Sequence, residues 1–152
     1  MIRRLTAVLV AVSLALCPAL AAFNSLTLLS SAQQTASGNG AWIQVSTSDQ
    51  LVVVVDFTAG TTVTALDLWI QGTNDSTDTT GFDVTCDQRF VSAPTSTTSP
   101  TVAAQRDIID NKSTTTAERF VCLVRNFPFK YARAKWLFTG TNFTLSVTAG
   151  SK

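Results

Sequence analysis

Four oxygen-bearing side chains fall within ten residues of one another: Asn74, Asp75, Asp78 and Asp83. Clustered carboxylates and amides suit a hard cation, and calcium is the metal this set would take. Their spacing matches no EF-hand loop, and an acidic loop of this kind is equally at home simply hydrated. Two cysteines, Cys86 and Cys122, offer a second chemistry. Each sits on the apolar side of an alternating run, "FDVTC" and "FVCLV". The alternatives are a disulfide and two buried free thiols. Nucleophilic catalysis by either is excluded at once, because the chain contains no histidine to form a Cys–His or Ser–His–Asp arrangement. Histidine metal sites fall with it. Glu118 is the only glutamate, so a catalytic carboxylate pair would have to come from scattered loop aspartates, and nothing marks two of them out. No glycine-rich phosphate loop precedes a helix. The chemistry the sequence supports is therefore binding and assembly. No enzyme and no resident cofactor is expected, with calcium as the one exception.

The remaining candidates lie on strands. "YARAKW" alternates Tyr131, Arg133 and Lys135 with Ala132, Ala134 and Trp136. In a strand, alternate side chains point to opposite faces. The alanines, Trp136 and Phe138 are assigned to the core by parity, and the cations to an outer face. Trp69 falls beside Asp67 and Gln71 on the polar side of "ALDLWIQG". Trp69, Arg125, Lys130, Tyr131, Arg133 and Lys135 thus make a candidate interaction face. An aromatic on such a face could stack on a sugar ring. Equally, the face could meet another subunit. Trp42 is expected in the core.

These residues are placed by a chain that reads as strands throughout. Apolar residues make up 45% of it and charged ones 14%, too apolar for disorder. The abundance of Thr, Val and Phe suits strands. Runs at 25–31, from Trp42, and at 51–58, 65–72, 82–91, 119–127, 130–140 and 141–149 are separated by turn-forming residues. "VAAQRDIID" at 102–110 is open between a strand and a short helix. "LVVVV" at 51–55 is apolar at every position and predicts a central strand covered on both sides. "SAPTSTTSPT" at 92–101 is a low-complexity surface loop. The expectation is one all-β domain, an antiparallel β-sandwich of jelly-roll or immunoglobulin-like type with about 8–9 strands, over residues 22–152.

The first 21 residues differ in kind. Arg3 and Arg4 precede an uncharged apolar run from Leu5 to Cys17, then Pro18 and Ala19-Leu20-Ala21. That is the pattern of a cleaved export leader. The alternative is an uncleaved hydrophobic N-terminal segment. With the leader gone, nine bases face ten acids, which gives no footprint for nucleic acid. The charges are unevenly spread. From Ala22 to Gln88 there are seven acids and no base, and from Arg89 onward nine bases against three acids. Either two complementary surfaces meet between copies, or the halves neutralise each other within one molecule.

Taken in order, "GNG", "LVVVVDFTAG", "LDLWIQGTND" and "YARAKWLFTGTNFTLSVTA" resemble small β-sandwich structural proteins of tailed-bacteriophage and prophage virions, of head-decoration or tail-associated type. The likeness spans residues 38 to 149. It rests on a Val-rich strand, an Ile-Gln-Gly turn, and a closing pattern here formed by Arg133, Lys135, Trp136, Thr139, Gly140, Thr141, Phe143, Thr144, Ser146 and Val147. The loop after the turn departs from the family, with "DSTDTTGF" in place of a Gly-x-Thr-Trp element. The resemblance implies a non-enzymatic virion component whose partners are copies of itself or other virion proteins. The leader implies instead an exported, periplasmic or extracellular protein, for which a carbohydrate or other cell-surface ligand is the alternative partner.

Overall fold

A computed structural model describes residues 24–45, 50–92, 105–113 and 116–151. The leader and most of the Ser/Thr-rich loop after Ser92 lie outside them. Ten antiparallel strands follow one another: β1 (Asn24–Gln34), β2 (Gly38–Asn39), β3 (Ile43–Gln44), β4 (Gln50–Ala59), β5 (Val63–Thr73), β6 (Phe82–Val84), β7 (Gln88–Ser92), β8 (Glu118–Arg125), β9 (Tyr131–Gly140) and β10 (Phe143–Ser151). They form two sheets. Sheet A has the order β1-β10-β4-β8-β7, and sheet B the order β2-β9-β5-β6, with β3 also pairing β9. The β-sandwich expectation holds. The strands beyond the expected eight are β2, two residues at the expected Gly-Asn-Gly turn, and the extra one made when the 82–91 run divides into β6 and β7, which lie in different sheets.

Strict alternation builds the core. Leu51, Val53, Val55 and Phe57 of β4, Phe120, Cys122 and Val124 of β8, and Phe143, Leu145 and Val147 of β10 all point between the sheets and are buried. Leu66, Leu68 and Ile70 of β5 close over them from sheet B, with Ala132, Ala134 and Trp136 of β9. The small alanines leave room for the larger side chains opposite, as close packing requires. Cys86 and Cys122 form a disulfide, 36 residues apart, tying the β6–β7 crossover to β8.

The 102–110 segment is neither a helix nor a sheet-length strand over its described part. It runs along the free edge of β5. Ile108 N donates to Leu68 O (2.7 Å), and Leu68 N donates to Ile109 O (2.9 Å). Lys112 N reaches Leu66 O. Ile108 and Ile109 are inserted fully into the core. The segment covers the part of the β5 edge that β6, paired only from Ile70 to Gly72, leaves open. Unpaired backbone on a sheet edge is a template for unwanted pairing, and this cover removes it.

One expectation about β4 is corrected. Its outward residues Val52 and Val54 are half-buried and, among the described residues, no further layer covers them. The run is apolar at every position, but only one of its faces packs between the sheets.

Candidate functional site

The outer face of sheet B carries most of the side chains singled out by type and spacing. Trp69, Gln71 and Thr73 project from β5, and Tyr131, Arg133 and Lys135 from β9, in register as Trp69 opposite Lys135, Gln71 opposite Arg133 and Thr73 opposite Tyr131. Parity assigns them to this face correctly. Their exposure is corrected: Trp69 (3% exposed), Gln71, Thr73 and Arg133 (6%) are all buried. The cover comes from three places distant in sequence: the β5–β6 loop at 74–81, Trp42, and the chain at 105–107.

Trp69 is closed off by cations. The Arg106 guanidinium lies 4.5 Å from its ring centre and the Lys135 ammonium 5.5 Å. Its Nε1–H donates to Asp83 Oδ1 (2.7 Å), which also accepts from Gln71 Nε2 (2.8 Å). Arg106 approaches the other Asp83 oxygen at 3.7 Å. Burial pushes the Asp83 carboxyl upward, but the bonds from Gln71 and Trp69 and the charges of Arg106 and Lys135 outweigh it and hold it below the ordinary carboxylate range. No sugar ring can reach Trp69 past this arrangement. The exposed large apolar side chains are Phe82 (65%) and Leu137 (50%).

Arg133 is the centre of the second half of the network. Its Nε and Nη2 both donate to Gln71 Oε1 (3.0 and 2.8 Å). Nη2 also donates to the carbonyls of Thr79 and Thr80. The guanidinium stacks on Trp42, 4.2 Å from the ring centre. Trp42 is therefore a half-buried lid on the outside of sheet B, and not the core residue expected. Its Nε1–H donates to Asp78 O (2.6 Å). Gly81 lets the loop close: it has φ of +65°, and a Cβ there would meet Trp42 at 2.6 Å.

The calcium candidates turn inward on the same loop. Asp75 Oδ1 accepts from Thr77 N and Oγ1. Asp78 Oδ1 accepts from Thr80 N and Oγ1, and its Oδ2 from Thr73 Oγ1. These bonds lower both carboxyls, Asp78 to about 2. Asp83 is committed to Trp69, Gln71 and Arg106, and Asn74 Oδ1 accepts from Lys130 N. Among the described residues, no three acidic, histidine or cysteine side chains converge on a point that could hold a metal. What the sequence offers as ligand oxygens, the fold uses as turn caps.

Arg125 and Lys130 remain exposed. They are not brought together with the network: Arg125 ends β8 on sheet A, where its N–H donates to Asp87 Oδ2. The charge halves largely meet within the molecule. Arg119 forms a two-bond pair with Asp56 (2.6 and 3.2 Å), and Arg106 reaches Asp83. Both join a base of the second half to an acid of the first.

Sequence reasoning missed a second surface. On the outer side of sheet A, Val52 and Val54 of β4 adjoin Leu123 and Val121 of β8, and Phe90 of β7 adjoins Val121. All five are half-buried. The signal was present: a strand with a wet face should alternate, and "LVVVV" does not.

No family model matches the chain, and no curated protein matches its sequence. Among solved structures, its fold is similar to that of the SPBc2 prophage-derived protein YomS, with a TM-score of 0.51 and 11% identity over 86% of this chain and 94% of that one. At that identity the likeness is one of fold.

Proposed function

We propose that the chain is a non-enzymatic structural protein of a phage-like assembly, a head-decoration or tail-associated component that works through its β-sandwich surfaces. The observation that carries this reading is the fold shared with a prophage-derived protein over most of both chains. The strand-and-turn pattern from residue 38 to 149 supports it independently. So does the use made of the polar side chains. Arg133, Trp69, Gln71, Asp78 and Asp83 are spent on holding one another, which is what a rigid building block needs. The partners are then copies of this chain or other virion proteins.

The test is location. Purified particles from a host carrying the gene should contain the chain in stoichiometric amount by quantitative mass spectrometry. Its absence from particles, with recovery from the periplasm or medium, would overturn the virion reading in favour of an exported protein. The mass of its N-terminal peptide reads the fate of residues 1–21 in the same experiment.

A further inference from the structure

We propose that the outer face of sheet A is an isologous docking surface for a second copy of this chain. This deepens the assembly reading by naming the surface and its first partner.

The face is divided along β4. On one side stands a ridge of Val121 and Leu123 on β8 and Phe90 on β7. On the other, β10 and β1 present small residues: Gly150 lies beside Val52, Thr148 beside Val54, and Ser25 and Thr27 beyond them. There the surface sinks to a trough lined by Ser25, Val52, Val54, Thr148 and Gly150. A ridge and a trough flanking one strand are self-complementary. A two-fold axis parallel to β4 lays the ridge of each copy into the trough of the other, as a C2 interface requires. Stacked sheets pack in this face-to-face manner in sandwiches generally.

Charge follows the same division of labour. The centre of the face carries none, and Asp56, Arg119 and Arg125 stand at its ends, half-exposed or exposed. The two-fold sets the two Asp56 carboxylates facing each other across the axis, with one Arg119 of each copy on either side to offset their repulsion. A carboxylate has lone pairs enough to accept from both guanidinium groups. An apolar centre with a charged rim is the anatomy of a specific interface.

The area is sufficient. Five strands about 4.8 Å apart and about seven residues long at 3.4 Å each make a face of roughly 24 by 24 Å. Two such faces bury about 1,200 Å², the lower bound for specific association. On the opposite sheet Trp42, the 74–81 loop and Arg106 cover the middle of the face, and its exposed apolar side chains, Leu137 and Phe82, stand apart at different ends of it. Nor is an apolar outer face the default for this sheet. β10 places Thr144, Ser146 and Thr148 outward while β4 and β8 place valine and leucine.

The experiment is sedimentation equilibrium on the full chain as it is purified, with intact mass recording whether residues 1–21 are present. A reversible dimer is expected in the micromolar range. Val54→Lys and Thr148→Arg should each weaken it at least tenfold, the first by charging the ridge side of the trough and the second by filling it. Phe82→Ser, on sheet B, should leave it unchanged. Thr148→Arg acts at an already polar position, so a misfolded Val54→Lys protein does not spoil the test. A chain that stays monomeric throughout, or a dimer that survives Thr148→Arg, overturns the proposal. A monomer that retains residues 1–21 overturns it too. Absence of the chain from particles would remove the virion reading and leave this dimer standing.

Discussion

Replacing Arg133 by methionine isolates what the buried guanidinium does. Methionine matches the unbranched stem out to the position of Nε, so the change removes the planar guanidinium head beneath Trp42 and little else. Four donated bonds go, two of them to Gln71 Oε1. Gln71 is only 3% exposed, so its oxygen is left without a donor in the interior. An orphaned buried acceptor costs about 1–3 kcal/mol. The carbonyls of Thr79 and Thr80 are on exposed residues and can turn to water, which makes their loss small. Stacking on Trp42 adds roughly 1–2 kcal/mol for a cation largely out of solvent. Against these stands the relief of no longer burying a charge, visible in the lowered Arg133 pKa, whose first cause is burial. The net expectation is a loss of about 2–3 kcal/mol. With an unfolding entropy of about 2.1 cal/mol/K per residue over about 130 residues, that is a fall of roughly 7–11 °C in Tm. Arg133→Lys should not rescue it, since an ammonium cannot reproduce the planar fork that serves Gln71 and two carbonyls together. Calorimetry gives the Tm, and hydrogen exchange reads whether amides of the 74–81 loop lose protection. A Tm within about 2 °C of the parent for Arg133→Met, or full stability in Arg133→Lys, would refute the reasoning.

Two further outcomes follow from the same network and the core beneath it. Removing the disulfide with the Cys86→Ala, Cys122→Ala double variant should cost about 4 kcal/mol, from the chain entropy of a 36-residue separation. Urea unfolding with and without reductant checks this, and equal midpoints would show that the bridge does not restrain the unfolded chain. Acid should weaken the protein through Asp78. Its carboxyl is held at about 2 in the fold, by Thr80 first, against an ordinary 3.8. A folded pKa below the unfolded one means a contribution that is complete above about pH 4 and lost as pH falls to about 2. Asp75 and Asp83 have the same sign. The urea midpoint should therefore decline across that window, and Asp78→Asn, which can still accept from Thr80, should make the decline shallower. An unchanged slope would show that Asp78 carries none of it.

Alternation made the sandwich readable. In β10 every second residue from Phe143 to Ala149 is apolar, and the core side follows from parity with no knowledge of what lies opposite. Parity also put Trp69 and Arg133 on the correct face. It could not give their depth, because a side chain is buried by whatever lies over it. For Arg133 that is Trp42, 91 positions away, and a loop whose polar composition suggests solvent. The candidate metal ligands are ambiguous in sequence for a related reason. Asp and Asn serve equally as cation ligands and as turn caps, and only the positions of Thr77, Thr80 and Trp69 decide between the uses. For β4, residue type was legible and cover was not: four consecutive valines suit a strand packed on both faces, yet among the described residues only one face is packed.

The uneven charge of the sequence resolves through topology. β4 lies between β10 and β8, and β5 beside β9. Both sheets thus set a strand from the acidic half against strands from the basic half. The register then brings Asp56 opposite Arg119, while loop and edge residues bring Arg106 to Asp83. Charges that look segregated along the chain are thus partly mixed in space. The centre of the sheet A face is apolar. Association through sheet A should then change little with ionic strength, because exposed rim pairs contribute at most about 1 kcal/mol each and the uncharged centre feels no screening. A dimer that dissociates when salt is raised would place the contact on charge, and would take the valine face of β4 out of the assembly.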